Sequence, residues 1–117
     1  FDLVTSMEVL EHVSDKQAFL AALAARLAPG GLMVLSTPNR TVQSRLLLVG
    51  AAEAMGMVPK GTHHWDDFVT PDEMEILLAG AGVTMSAPRG IAFSPAKGLH
   101  LSDDLALNYI VTAVRTA

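Results

Sequence analysis

The fold is decided by residues 1–12, Phe1-Asp2-Leu3-Val4-Thr5-Ser6-Met7-Glu8-Val9-Leu10-Glu11-His12. An apolar, partly β-branched run fills the first half of this stretch, as expected of a strand in a parallel sheet. The run ends in three groups that can bind metals or move protons, Glu8, Glu11 and His12. A helical pattern follows, and residues 27–35 then contain a Pro-Gly-Gly turn and a second apolar run. Strand, helix and strand in this order predict an α/β unit with a parallel sheet.

The later elements are marked by capping motifs and turn residues. Two capping boxes, SDKQ beginning at Ser14 and TPDE beginning at Thr70, predict the starts of two helices. In the second box, proline occupies the favoured first helical position. Residues 83–93 and 105–115 are typical of strands, and residues 95–98, Pro-Ala-Lys-Gly, predict a hairpin-like connection between them.

Composition excludes several classes of function. The chain has 117 residues and a net charge of −4, whereas nucleic-acid binding requires a basic surface, so no nucleic-acid partner is expected. It has no cysteine, which excludes a disulfide framework, a thiol nucleophile and a thiolate metal site. No apolar run reaches the roughly 18 residues of a membrane span, and no signal-peptide pattern is present. A cytoplasmic location is therefore expected.

The length fits one small domain or a part of one. Phe1 already belongs to the predicted strand at residues 1–7, whereas the termini of a domain usually lie in exposed segments. We therefore expect the chain to be part of a longer protein.

Glu8, Glu11 and His12 occupy positions i, i+3 and i+4, which share one face of a helical turn. Two carboxylates and an imidazole form a mixed oxygen and nitrogen site suited to a divalent ion such as Mg²⁺. Such an ion would hold substrate oxygens and lower the pKa of a hydroxyl. Without a metal, His12 would take the proton while a carboxylate orients it. The spacing fits solvated carboxylates and a structural histidine equally well, so it leaves all three interpretations open.

The stretches MEVLEHVSD, LAPGGLMVLSTPNR and VPKGTHHWDDFVTPDE are similar to class I S-adenosylmethionine (SAM) methyltransferases. In detail they resemble the O-methyltransferase family of ubiquinone biosynthesis. The resemblance implies the C-terminal half of a Rossmann-like α/β domain, whose parallel strands end in an antiparallel pair. It also implies SAM as the cofactor and a polyprenylated phenol or catechol as the substrate of O-methylation.

The resemblance also assigns roles to individual residues. Met7 lies where the family contacts the adenine end of SAM, which suits a flexible thioether, although a place in the core is the alternative. Glu8, Glu11 and His12 match the family's metal-binding residues, and His12 is also the candidate catalytic base. The family's glycine-rich SAM loop has no counterpart in the chain, so it is expected upstream, and the 117 residues alone are expected to be inactive.

Two rival functions stay open beside this one. The chain could belong to a class I methyltransferase that acts on another small molecule, or to an inactive, membrane-associated binding module. A glycine-rich loop upstream would support an enzyme.

Residues 40–65 are expected to be an insertion typical of the family. Within them, residues 41–57 predict a helix that is apolar around most of its circumference, and such a helix is either buried or in contact with lipid. Arg40, Arg45 and Lys60 near its ends would meet lipid phosphates. A prenylated substrate favours an anionic membrane surface as a partner, with the protein peripheral on the inner membrane.

Two further polar clusters are candidate parts of the site. Residues 59–65 contain His63 and His64, and this loop would close over the substrate ring. His100 and the pair Asp103-Asp104 are expected in a loop near the mouth of the pocket.

Overall fold

The computed structural model describes residues 1–41 and 65–116. The first part contains strand β1 (Leu3–Met7), a 3₁₀ turn (Leu10–His12), helix α1 (Lys16–Ala25) and strand β2 (Leu32–Pro38). The second part contains a 3₁₀ turn (Trp65–Asp67), helix α2 (Pro71–Gly80) and strands β3 (Val83–Met85), β4 (Gly90–Ser94), β5 (Gly98–Ser102) and β6 (Asn108–Arg115). The predicted helix at 41–57 and the loop with His63 and His64 fall outside the described residues, except for Thr41 and Trp65.

The main sheet has four strands in the order β1-β2-β6-β3. Strands β1 and β2 are parallel, with Leu3 opposite Leu32 and Met7 opposite Ser36. Strand β6 runs antiparallel to both β2 and β3. The predicted α/β fold, in which a parallel pair is followed by an antiparallel pair, is confirmed.

The single strand predicted at residues 83–93 is wrong, because β3 ends at Met85 and β4 belongs to a separate two-stranded sheet with β5. The turn near residues 95–98 joins β4 to β5 and does not lead to β6. Pro88 lies in the break, where proline cannot donate to a strand ladder. Gly90 approaches Asp104 so closely that an added Cβ would lie 1.8 Å from the Asp104 carbonyl oxygen. The β4–β5 hairpin is therefore seated against the segment that precedes β6.

Helices α1 and α2 pack on the same face of the main sheet and share one core with it. The residues that the helices bury are Leu20 and Ala24 from α1, and Met74 and Leu78 from α2. Gln17 links the two helices, since its Nε2 donates to the Leu77 carbonyl at 3.0 Å. This face holds the hydrophobic core of the described residues.

The helix starts follow the predicted capping boxes in one case only. Thr70 Oγ1 accepts from the Glu73 N–H at 3.3 Å, and the Thr70 N–H donates to Glu73 Oε1 at 2.9 Å, so this box is confirmed. The cap of α1 is Asp15 and not Ser14, because the Asp15 carboxylate accepts from the Ala18 N–H at 3.0 Å. A negative charge at a helix N-terminus also interacts favourably with the helix dipole, which favours aspartate as the cap.

The opposite face of the main sheet carries apolar side chains that water reaches. The exposed fractions are 57% for Leu3, 47% for Met7, 38% for Leu32 and 47% for Val114. These residues alternate along their strands with buried ones, because successive side chains of a strand point to opposite faces. Within residues 1–41 and 65–116, both α-helices lie on the other side.

Candidate functional site

The carboxyl ends of β1 and β2 lie side by side, because the two strands are parallel and paired as far as Met7 and Ser36. In open α/β sheets, ligands bind beyond this edge. The Glu8 N–H donates to the Ser36 carbonyl at 3.0 Å, so the link between the two chain segments continues one residue past β1. Met7 is half exposed at this edge among the described residues, and its contact with SAM stays a prediction.

Glu8 has a left-handed backbone conformation, with a φ of 55°. Such a conformation is uncommon for residues other than glycine and often marks functional sites. It turns the chain sharply between β1 and the 3₁₀ turn that begins at Leu10. Glu8 therefore lies outside that turn, and the prediction that it shares a helical face with Glu11 and His12 is wrong.

The 3₁₀ turn places Glu11 and His12 in different environments. Glu11 is only 5% exposed, next to the fully buried Leu10, whereas His12 is exposed. Among the residues that the structure describes, no group of three or more His, Asp or Glu side chains has a geometry that could hold a metal ion. The three-ligand arrangement of Glu8, Glu11 and His12 therefore has no support from this geometry, and the metal role stays a prediction.

Burial raises the pKa of Glu11 above the ordinary value of a glutamate. Hydrogen bonds to its own backbone and to the side chain of Glu8 act in the opposite direction, as does the positive charge of Lys16. A hydrogen bond between two carboxyl groups requires a proton on one of them. Glu8 and Glu11 thus form a pair that can hold one proton at the end of β1.

Four buried side-chain oxygens have no hydrogen-bond partner among the described residues: Ser6 Oγ, Glu11 Oε1, Ser36 Oγ and Thr37 Oγ1. They come from the last residues of β1 and β2 and from the 3₁₀ turn between β1 and α1. Buried polar atoms in proteins are almost always paired, so their concentration at one edge of the sheet makes this edge the candidate ligand-binding site.

Asn39, in the segment where the second predicted strand ends, connects this edge to the second half of the chain, although no role was predicted for it from the sequence. Its N–H donates to the Leu107 carbonyl at 2.9 Å, and its Nδ2 donates to the Leu105 carbonyl at 2.8 Å. The signal that could have identified its role is an amide side chain a few residues after the predicted apolar run, directly behind the last residue of β2.

Arg40, predicted to meet lipid phosphates, instead binds within the protein. Its Nη1 donates to the Phe68 carbonyl, and its Nη2 contacts Glu73 Oε2, both at 3.0 Å. Burial acts to raise the pKa of Glu73, but hydrogen bonds from Thr70 and Arg40 outweigh it and hold this pKa below the ordinary value. The Arg40–Glu73 pair borders a cleft of about 220 Å³, to which Lys16 also contributes.

The prediction of a loop that holds His100, Asp103 and Asp104 is partly wrong. His100 lies in β5, where its Nδ1 is 3.0 Å from the Gly98 carbonyl oxygen. Asp103 follows β5 and pairs with Arg89, at 3.3 Å between Oδ1 and Nε. Asp104 lies in the segment between β5 and β6, as expected.

Residues 1–87 match the family model described as a methyltransferase domain. The chain belongs to this methyltransferase family. Over 115 residues it is 47% identical to the ubiquinone biosynthesis O-methyltransferase of Rhodopseudomonas palustris (strain BisB5), covering 97% of this chain and 46% of that protein. It is also 47% identical, over 118 residues, to the protein of the same name from Cereibacter sphaeroides, covering 98% of this chain and 48% of the relative. The methyltransferase chain thus spans about half the length of these curated relatives.

Solved methyltransferase structures share the fold. A SAM-dependent methyltransferase of Thermotoga maritima, titled a possible histamine N-methyltransferase, superposes with a TM-score of 0.63 at 12% identity, covering 99% of this chain and 56% of that one. A putative methyltransferase of Haloferax volcanii, solved with its Trm112 activator, superposes with a TM-score of 0.58 at 16% identity, covering 99% and 54%. At such low identity the likeness shows the fold alone.

Proposed function

We propose that this methyltransferase chain takes part in the SAM-dependent methylation of a phenolic oxygen on a prenylated substrate, the O-methylation of ubiquinone biosynthesis. The names of the relatives support this reaction and this class of substrate. The observation that carries the proposal is the buried Glu11 beside the exposed His12, at the carboxyl end of the parallel strand pair. This arrangement combines proton-handling groups with the edge at which open α/β sheets bind their ligands.

SAM, when bound, supplies a methyl group activated by a positively charged sulfur. Met7 would pack its half-exposed thioether against the adenine ring, since a flexible sulfur side chain suits an aromatic surface. The unpartnered hydroxyls of Ser6, Ser36 and Thr37 are polar groups that a bound ligand could satisfy at the same edge. These residues orient the ligand and keep the reacting oxygen in place.

The phenolic oxygen must lose its proton as it bonds to the methyl carbon. Phenols are mostly protonated at neutral pH, so the reaction needs a group that accepts the proton. Imidazole is the side chain best suited to accept a proton near pH 7, and His12 is the exposed histidine at this edge. We therefore assign the role of base to His12.

A divalent cation is a second route to the same deprotonation. Mg²⁺ binds proteins through one or two carboxylates and keeps further positions for water and substrate oxygens. The carboxyls of Glu8 and Glu11 would hold such an ion in their ionised form, and the ion would lower the pKa of a substrate hydroxyl. His12 would then remain the base, because the geometry does not bring it into a three-ligand group.

Methyl transfer by the full-length protein tests the proposed function. We expect label from SAM carrying a radioactive methyl group to appear on the oxygen of a catechol with a short isoprenoid chain. Mass spectrometry of the product distinguishes oxygen from carbon or nitrogen methylation. Transfer only to acceptors that lack a phenolic hydroxyl would contradict the proposal.

We expect the difference in stability between Glu11→Gln and the natural protein to shift in favour of the variant between pH 5 and pH 8. Thermal unfolding of both proteins in the presence of a chelator measures this difference. The raised pKa means that the folded state binds the proton of Glu11 more tightly than the unfolded state, so stability falls as pH rises through the folded pKa. Glutamine cannot ionise, so the variant should lose less stability over this range.

The same variant separates the metal route from the metal-free one. If Mg²⁺ binds Glu8 and Glu11, chelator should reduce methyl transfer by the natural protein, Mg²⁺ should restore it, and Glu11→Gln should respond to neither. Glu75→Gln, at an exposed position in α2, provides a charge-matched control. Full activity of the natural protein in chelator would contradict the metal role.

No helix in residues 1–41 and 65–116 has the length and apolarity needed to cross a membrane. Contact of residues 40–65 with an anionic membrane, and a peripheral place on the inner membrane from the cytoplasmic side, remain proposals. Their support is the composition of the segment, which includes the apolar run Leu46-Leu47-Leu48-Val49.

A further inference from the structure

A groove of about 470 Å³ lies between the β4–β5 hairpin and the start of β6. Its apolar lining consists of Ile91, Ala92, Leu99 and Leu107. Its polar lining consists of Ser102, Asp104 and Asn108. The volume falls within the range of about 300–1,000 Å³ that is typical of small-molecule sites. The groove is therefore large enough for an apolar ligand of moderate size.

Leu99 leaves most of its surface uncovered although it lines this groove. Its exposed fraction is 76%, and that of Leu101, on the same face of β5, is 54%. Only the first of these two leucines lines the groove. An apolar ligand in the groove would remove the Leu99 side chain from water, which is favourable in proportion to the area covered.

The groove is joined to the candidate site by backbone hydrogen bonds. Asn108 pairs with Pro38 at the end of β2, and the Asn39 N–H donates to the Leu107 carbonyl at 2.9 Å. Two residues of the groove lining thus lie directly beside the end of β2. A substrate whose ring lies at the ends of β1 and β2 can extend a chain across the start of β6 into the groove.

The charge of the lining limits what the groove can accept. Asp104 is the one ionisable residue among those that line it in the described part of the chain. A carboxylate at the rim repels phosphate and other anions, which argues against an anionic lipid headgroup. The carboxylate does not repel an uncharged hydrocarbon chain.

We propose that this groove binds the isoprenoid chain of the substrate and thereby selects prenylated over unprenylated phenols. The inference rests on the proposed function, since it assumes that the ring to be methylated lies at the ends of β1 and β2. Leu99 and Ile91, which the strand register places on the same face of the β4–β5 hairpin, contact the chain, and the groove contributes affinity without taking part in the chemistry.

The test compares Leu99→Ser with Leu101→Ser in the full-length enzyme. Both side chains are exposed, so neither change should disturb folding. The substrates are a catechol with a three-unit isoprenoid chain and the same catechol without a chain. Leu99→Ser should raise KM for the prenylated catechol about tenfold, the ratio expected when roughly two buried CH₂ contacts are lost, and leave kcat unchanged. Leu101→Ser should leave KM unchanged for both catechols. For the unprenylated catechol, KM should be the same in both variants.

Equilibrium dialysis with the prenylated catechol provides a readout that does not require turnover. Leu99→Ser should weaken binding about tenfold relative to Leu101→Ser. If the natural protein methylates neither catechol but this difference in binding is found, only the proposed function is overturned. Equal loss in both variants, together with loss of binding to vesicles of anionic phospholipid, would show that the hairpin face contacts membranes and would overturn the proposal. Unchanged binding in both variants would also overturn it.

Discussion

Replacing His12 with alanine is expected to lower kcat for methyl transfer by about 10²–10⁴-fold at pH 7, the usual loss when a general base is removed. The exposed imidazole is the group that we assign to accept the phenolic proton, and alanine cannot accept one. The loss should shrink as pH rises, because more of the substrate is then already a phenolate. The measurement is kcat against pH for both proteins, with SAM binding followed separately by calorimetry.

His100→Ala is the matched control for this experiment, because His100 lies in β5 with its Nδ1 near the Gly98 carbonyl. It should retain kcat within a few-fold at every pH. A His12→Ala enzyme that keeps full activity in Mg²⁺ and loses it in chelator would contradict the role of His12 as base. That result would assign the deprotonation to an ion held by Glu8 and Glu11.

Replacing Tyr109 with alanine is expected to cost about 3–5 kcal/mol of stability, the range found when a buried aromatic residue is removed. Tyr109 is completely buried in β6 and belongs to the core beneath the helices. Its hydroxyl donates to the Val69 carbonyl at 2.7 Å and so ties β6 to the residues just before α2. Chemical denaturation of the full-length protein, with circular dichroism as the readout, measures the change.

Tyr109→Phe separates the ring from the hydroxyl. Burial, with the negative charges of Glu73 and Glu8, raises the pKa of Tyr109 well above its usual range, so the hydroxyl stays protonated and continues to donate. Phenylalanine keeps the packing but leaves the buried Val69 carbonyl without this partner, a loss of about 1–3 kcal/mol. A phenylalanine variant as unstable as the alanine variant would contradict the assignment of most of the stability to ring packing.

Patterns within a few residues predicted much of the fold. The apolar run at the start of the chain and the box at Thr70 correctly gave β1 and the start of α2. These features succeed because strand alternation and capping depend on near neighbours in the sequence. The parallel and antiparallel order of the sheet followed from the family resemblance.

The failures depend on partners that are distant in the sequence. The left-handed turn at Glu8 accompanies a hydrogen bond to Ser36, and the break before β4 accompanies the contact of Gly90 with Asp104. Arg40 is paired with Glu73, and no local sequence pattern predicts this ion pair. The candidate site at the strand ends stays a prediction, and the relative placement of its side chains depends on these long-range contacts.

The guanidinium of Arg40 joins the end of the first described part of the chain to the beginning of the second. It holds the carbonyl of Phe68 and the carboxylate of Glu73, so the residues around Arg40 and the residues just before and within the first turn of α2 stay close together. Because closing a connection costs only about 0.6 kcal/mol more for each doubling of its length, the free energy of joining two such points depends little on the number of residues between them. With the Arg40 contacts in place, a change in the number of residues between Thr41 and Trp65 is expected to leave the described core intact.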